Sequence, residues 1–275
     1  MTAPLSLVRS ALAALAASLL TGAPSPGGQQ GISVTFLANE GVLLSSGSRE
    51  VLIDGLFERY ETGFALPADS TRSALRRAAR PFDSVDLILV THRHGDHFHP
   101  APVAGHLLAN AGAVLLTSAQ VIDSLRGSLP QGHRLTPRLM ARTTPPGTRR
   151  REVVGGIAVD LLGLPHDGFR HRKVEHLGYI VELGGRRVLH VGDAKLDEST
   201  LAPFRLDTAR IDVALLPHWV VTSESGRRMI EQWIRPRQVV AFHLGDSDAE
   251  RVPQAVSAAV PGAITFVRSL DRRVW

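Results

Sequence analysis

Six consecutive residues, His92, Arg93, His94, Gly95, Asp96 and His97, limit what this chain can become more than any other stretch. They follow Leu87, Ile88, Leu89 and Val90, an apolar run suited to a strand buried on both faces. In extended backbone His92 and His94 project to the same side. Gly95 then allows a turn that aims Asp96 and His97 into the same space. Four donors packed so closely would crowd one cation and suit two adjacent ones. The 275 residues include no cysteine, so thiolate ligands and disulfides are excluded. Imidazole and carboxylate alone suit zinc, iron or manganese.

The start of the chain points to export. Arg9 is a lone positive charge, Ala11 to Leu20 contains only Ala, Leu and Ser, and small residues and turn formers follow from Thr21 to Gly28. That is the layout of a signal peptide and spacer over residues 1–27, and the run is short for a bilayer span. A periplasmic or extracellular location is therefore expected, with no stable membrane insertion after cleavage. Residues 28–275 remain for a single domain. Lys and Arg exceed Asp and Glu by only 5, which gives no reason to expect a nucleic-acid partner. A small-molecule substrate is expected, and the oligomeric state is left open.

Apolar patterning predicts strands over 32–37, 42–45, 50–53, 85–90, 113–116, 156–162, 178–183, 187–191, 213–216, 239–242 and 264–267. Helices are expected over 71–80, from about 99 to 110, and over 119–125, 223–234 and 248–260. The Pro-, Arg- and Thr-rich stretch 130–151 reads as a loop. Phe57, Tyr60 and Phe64 suit either a lid or core packing, and Arg149 to Arg151 and Arg170 to Lys173 either anion attraction or solvated loops.

The cluster resembles the metallo-beta-lactamase superfamily, whose signature is His-x-His-x-Asp-His at a strand end. Val51 to Asp54, Pro165 and His166, Leu189 to Asp193, and Val240 to His243 resemble the other landmarks in order. The resemblance implies an α+β four-layer αββα sandwich with metals at one edge of two facing sheets. It implies that His92, His94 and His166 hold one divalent ion and that Asp96, His97 and His243 hold a second. Asp193 would be shared, and Asp54 would fix a metal-binding loop. His171 and His176 lie near His166, which is favoured because it directly follows the strand through Leu164. His218, at a strand end beside Trp219, is a candidate to contact substrate or leaving group, and an inert pocket-wall role is equally open. His190 reads as structural, and His99 as a surface or capping residue.

Two ions, zinc by preference, lower the pKa of a bound water, so a hydroxide becomes available near neutral pH with Asp96 and Asp193 in the catalytic set. The arrangement looks most like the compact branch that includes ascorbate-phosphate lactonases and phospholipase-D-like hydrolases, so ester, lactone or phosphodiester cleavage is expected. Beta-lactam hydrolysis and a non-catalytic metal-binding scaffold are the alternatives.

Overall fold

The computed structural model describes residues 31–58, 63–245 and 247–275. The expected signal peptide and Tyr60 lie outside the described residues. The first half opens with the antiparallel meander β1 (Ser33–Ala38), β2 (Gly41–Ser46) and β3 (Arg49–Ile53). Three parallel strands follow, β4 (Leu87–Val90), β5 (Val114–Thr117) and β6 (Leu139–Ala141), linked through α1 (Asp69–Arg76), α2 (Pro100–Ala109) and α3 (Ala119–Arg126). The second half repeats the plan with the meander β7 (Arg149–Val154), β8 (Ile157–Gly163), β9 (Leu177–Leu183) and β10 (Arg186–His190). Parallel strands β11 (Val213–Pro217), β12 (Gln238–Phe242) and β13 (Ile264–Thr265) extend that sheet. Their connections carry the short helices α4 (Glu198–Leu201), α5 (His218–Thr222) and α6 (Glu224–Met229), and the longer α7 (Arg251–Ala259). The last strand, β14 (Arg272–Val274), returns to pair with β1. The sheet orders are β14-β1-β2-β3-β4-β5-β6 and β13-β12-β11-β10-β9-β8-β7.

Apolar residues on both faces of the central strands make three layers. Leu87 and Leu89 of β4 meet Tyr179 and Val181 of β9 and Val240 and Phe242 of β12 between the sheets. The alternate residues Ile88 and Val90 turn outward onto Val103 and Leu107 of α2 and Val121 and Leu125 of α3. On the far side Ile180, Leu189 and Ala241 pack under Val221, Ile230 and Val256. The result is the expected αββα sandwich. A period of two, apolar at every position, is what a sheet covered on both faces demands.

Several local expectations are corrected. The stretch 130–151 is not all loop: Thr136–Arg138 forms a 3-10 turn, β6 follows, and β7 begins at Arg149. At its edge of the sheet β7 carries charge where a buried strand carries apolar side chains. Arg149 and Arg151 both reach buried Asp160 on the neighbouring strand, at 2.6 and 3.2 Å. The helix expected over 71–80 ends at Arg76, and Ala78 takes a φ of 45°. The helix expected over 223–234 continues beyond α6 as a π-helical turn, Ile230–Ile234, and the one expected from Asp248 begins at Arg251. The strand expected over 264–267 is only Ile264–Thr265, while the exposed β14 has no apolar pattern to announce it.

Leu89 is fully buried between the sheets whereas Val153 on β7 is 64% exposed. Leu89→Ala is expected to lower unfolding free energy by about 2–5 kcal/mol through lost burial and a residual cavity. Val153→Ala is expected to shift it by no more than about 0.5 kcal/mol. Urea denaturation followed by circular dichroism distinguishes the two.

Candidate metal centre

β3 and β4 are parallel, as are β10, β11 and β12, while β8 and β10 both run antiparallel to β9. Within each sheet the strands that matter therefore finish at the same edge. β3 ends at Asp54, β4 at Thr91 and His92, and β8 leads through Leu164 and Pro165 to His166. β10 leads to Gly192 and Asp193, β11 to His218, and β12 to His243. Carboxyl ends of parallel strands leave the ladder together, so their loops meet outside one edge. Asp54 and His243 adopt φ of 45° and 60°. Such left-handed geometry at non-glycine residues is held only where the surroundings enforce it.

The donor atoms fall into two groups sharing Asp193. His92, His94, His166 and Asp193 place ligand atoms within 4.8 Å of one another, as do Asp96, His97, Asp193 and His243. In the first, Nδ1 of His94 lies 3.0 Å from Nε2 of His92 and 3.1 Å from Nε2 of His166. Oδ2 of Asp193 is 3.8 Å from Nε2 of His92 and 3.5 Å from that of His166. In the second, Nε2 of His97 is 3.5 Å from both Asp96 Oδ2 and Asp193 Oδ2, and Nε2 of His243 is 3.0 Å from Asp193 Oδ1. Tetrahedral ligands about 2.0–2.1 Å from a zinc ion stand about 3.3–3.4 Å apart, so the spacing fits cations. Buried atoms point the same way. Nε2 of His97, Nε2 of His243 and Oδ1 of Asp193 are buried without an aligned hydrogen-bond partner, a costly arrangement unless another species satisfies them.

Three of the rings, His92, His97 and His166, are turned by a bond at the other nitrogen. Asp54 Oδ2 accepts from Nδ1 of His97 at 2.9 Å and from the Thr91 hydroxyl at 2.6 Å, while Oδ1 accepts from the Thr91 amide at 2.8 Å. With its proton given to Asp54, the Thr91 oxygen accepts from Nδ1 of His92 at 3.0 Å. Nδ1 of His166 donates to the Asp167 carbonyl at 2.6 Å. Nε2 is thereby freed on His92, His97 and His166.

Electrostatics separate the donors. Burial first, then His97 and His176, push His92 well below the ordinary histidine value, and burial with His166 takes His94 to about 4. Burial also opposes charge on His97, yet Asp193 foremost, with Asp54 and Asp96, holds its pKa well above the ordinary value. Burial would raise Asp193, but His97 and His243 keep it well below the usual carboxylate range.

His218 stands apart from both groups. Its ring packs 5.3 Å from Trp219, whose ring lies 4.8 Å from His243, and its Nε2 is 3.7 Å from Asp248 Oδ2. Burial lowers its pKa even though Asp248 opposes that shift. Phe64 sets its ring edge-on to His243 at 4.6 Å, whereas Phe57 is core. His190 is structural, its Nε2 donating to the Glu40 carbonyl at 3.0 Å. His99 precedes α2 and its Nδ1 accepts from the Glu58 amide at 3.1 Å.

Sequence reasoning missed Asn39 and Glu40, which fall between the strands expected over 32–37 and 42–45. The Asn39 side chain donates to the Asp96 carbonyl at 3.1 Å. Glu40 is fully buried, 3.8 Å from His97 Nδ1, and burial foremost, with Asp193, raises its pKa well above the ordinary value. His176 has only its nearness to His166 to mark it in sequence, yet its buried ring lies 5.1 Å from His92. His171 sits 4.5 Å from His166 and 4.7 Å from His94, ring centre to ring centre. No local pattern marks these four, because each acts through distant neighbours.

Residues 49–262 match the family model of the beta-lactamase superfamily domain. A UPF0173 metal-dependent hydrolase from Thermus thermophilus is 28% identical over 218 residues, or 77% of this chain and 83% of that protein. The solved structure of Igni18, a metallo hydrolase from Ignicoccus hospitalis, is similar with a TM-score of 0.61 at 18% identity, over 89% of this chain and 98% of that one. YhfI from Bacillus subtilis, a metallo-beta-lactamase fold protein, gives 0.60 at 12% identity, over 90% and 100%. At such identities the two structures speak for the fold.

The raised pKa of His97 means that the metal-free protein carries a proton there at pH 7, which a cation at Nε2 must displace. Zinc titration by calorimetry in buffers of different ionisation enthalpy is expected to show about one proton released. Asp54→Asn, which loosens His97 and His92 together, is expected to weaken zinc binding roughly 10- to 100-fold in the same titration.

Proposed function

The chain belongs to the metallo-beta-lactamase superfamily, and from that premise we propose an exported metal-dependent hydrolase that cleaves an ester, lactone or phosphodiester bond in a small molecule. The observation that carries this reading is the pair of donor groups joined at Asp193. His92, His94 and His166 would hold one divalent ion and Asp96, His97 and His243 the other, with Asp193 common to both. The all-nitrogen and oxygen donor set suits zinc and admits manganese or iron. Bound cations of this kind polarise a carbonyl or phosphoryl oxygen and make water acidic enough to attack near neutral pH.

This chain's own residues supply the orientation. Asp193, its pKa held down by His97 and His243, stays ionised at neutral pH and can accept a hydrogen bond from the attacking water. Asp54 keeps the His92 and His97 rings from rotating. His218, whose pKa is lowered, is neutral at pH 7 and offers a hydrogen bond from the His243 side rather than a stored proton. Phe64 and Trp219 cover that side with apolar surface, which keeps water from competing there. Export rests on the leader over residues 1–27, with the hydrolase domain spanning 28–275. No helix among the described residues is long and apolar enough to cross a membrane. No nucleic-acid partner is expected.

Purified protein reconstituted with zinc is expected to turn over at least one of 4-nitrophenyl acetate, a homoserine lactone, bis(4-nitrophenyl) phosphate and a cephalosporin. Chelation, His94→Ala and Asp96→Ala are each expected to lower kcat/KM by about 100-fold or more, as befits groups holding the reacting centre. Two bound metals without turnover of any of them would favour a scaffold role.

A further inference from the structure

Beside His166 lies a cavity of about 340 Å³, a size for a small molecule rather than a polymer. His166, His171 and His176 line it on the metal side. Pro145, Pro146, Leu164, Val174 and Leu177 make its other walls largely apolar. Arg142, Arg172, Lys173 and Glu175 provide its charged groups.

These charges are not equivalent. Arg142 is paired with Glu152 at 2.6 Å, and the neighbouring Arg149, Arg150 and Arg151 of β7 are likewise paired with Asp160 or Glu152. Glu175 is tied to α3, its carboxylate accepting the Gln120 amide at 3.1 Å. Arg172 and Lys173 differ: among the described residues neither has a carboxylate within ion-pair distance. The Arg172 guanidinium instead lies 4.3 Å over the ring of Phe169, a side chain 80% exposed on the same turn. Nor is the segment loose. Gln120 donates to the Lys173 carbonyl at 2.8 Å and accepts from the Glu175 amide at 2.9 Å. The chain thus holds two unpaired cations at an apolar cavity that borders the candidate metal centre through His166.

We propose that this cavity is the substrate pocket and that Arg172 and Lys173 select a small ester or lactone carrying an anionic head group, carboxylate or phosphate, on an apolar body. The inference rests on the hydrolase reading and deepens it. The apolar walls take the body, the cations take the head, and the scissile bond is left against His166 and His171. A charged head in a mostly apolar pocket favours such a substrate over its neutral analogue, because charge-assisted hydrogen bonds to the head outweigh those to a neutral group.

Binding and turnover test it separately. Chelator-treated protein is titrated by calorimetry with phenylphosphonate, hexanoate and the neutral dimethyl phenylphosphonate. Both anions are expected to bind at least about tenfold more tightly than the neutral ester, and Arg172→Gln/Lys173→Gln is expected to erase most of that margin. The relative affinities of phosphonate and hexanoate tell a phosphate head from a carboxylate head. With zinc restored, mono(4-nitrophenyl) glutarate is compared with 4-nitrophenyl pentanoate. The expected kcat/KM ratio favours the anionic ester by at least about tenfold and collapses in the double variant, chiefly through KM. A neutral ester preferred or equal, or anion binding indifferent to the double variant, overturns the proposal. Anion binding lost in the double variant without turnover of any ester supports the anion site and overturns the hydrolase reading instead.

Discussion

The carboxylate of Asp54 is the interaction on which the centre depends. It stands at the end of β3, beside the strand that delivers the histidine loop, and satisfies three donors with two oxygens. Through them it fixes the Thr91 backbone, orients His97 directly, and orients His92 by way of the Thr91 hydroxyl. One buried group thus sets a ring in each of the two donor sets. Its left-handed backbone is the local cost, offset by those bonds. Neither ring would keep its outer nitrogen aimed at the same edge if solvent met the inner one in place of Asp54 at His97 and the Thr91 hydroxyl at His92.

A second constraint is charge. Glu40, Asp54, Asp96 and Asp193 are gathered around His92, His94, His97, His166 and His243 in a space largely closed to water. Without cations the balance is met by displacing protons: His97 holds one tightly, while His92 and His94 are driven neutral. Cations restore the balance without protons, and the buried atoms lacking partners then have a purpose. The same crowding explains why Gly192 precedes Asp193. A Cβ there would meet His176 Nε2 at 2.8 Å, and φ at that residue is 57°.

The two sides of the centre are built differently. On the His243 side, Phe64 and Trp219 bring rings against the imidazole, and His218 stands behind Trp219 with Asp248. On the His166 side the turn Phe169–His171 and the segment after it leave an open pocket with a cationic mouth. The sandwich imposes this asymmetry. β8 and β9 leave a long connection free at the sheet edge, whereas β11 and β12 bring α5 and α7 close together.

Local order made much of this legible from the sequence. A strand buried on both faces must be apolar throughout, so Leu87 to Val90 declared itself, and the polar residues just beyond it had to lie at the sheet edge. The same reasoning reaches Asp54, Asp193 and His243, each directly after or one residue past an apolar run. Edge strands escape it, because β7 pairs arginines with Asp160 across strands and β14 is exposed. So do residues whose partners are remote. Asn39 and Glu40 look like a turn until the first meander is laid against Asp96 and His97. Three histidines between 166 and 176 cannot be ranked by spacing alone. Packing ranks them: His166 alone sets its Nε2 3.1 Å from His94 Nδ1, His171 leans on it from the pocket, and His176 is shut in behind His92. The sequence by itself determined which residue types stand at the strand ends, since burial and period are local. Only the tertiary structure decided which nitrogens face one another and which cations lack an anion, because those depend on distances between segments far apart in the chain.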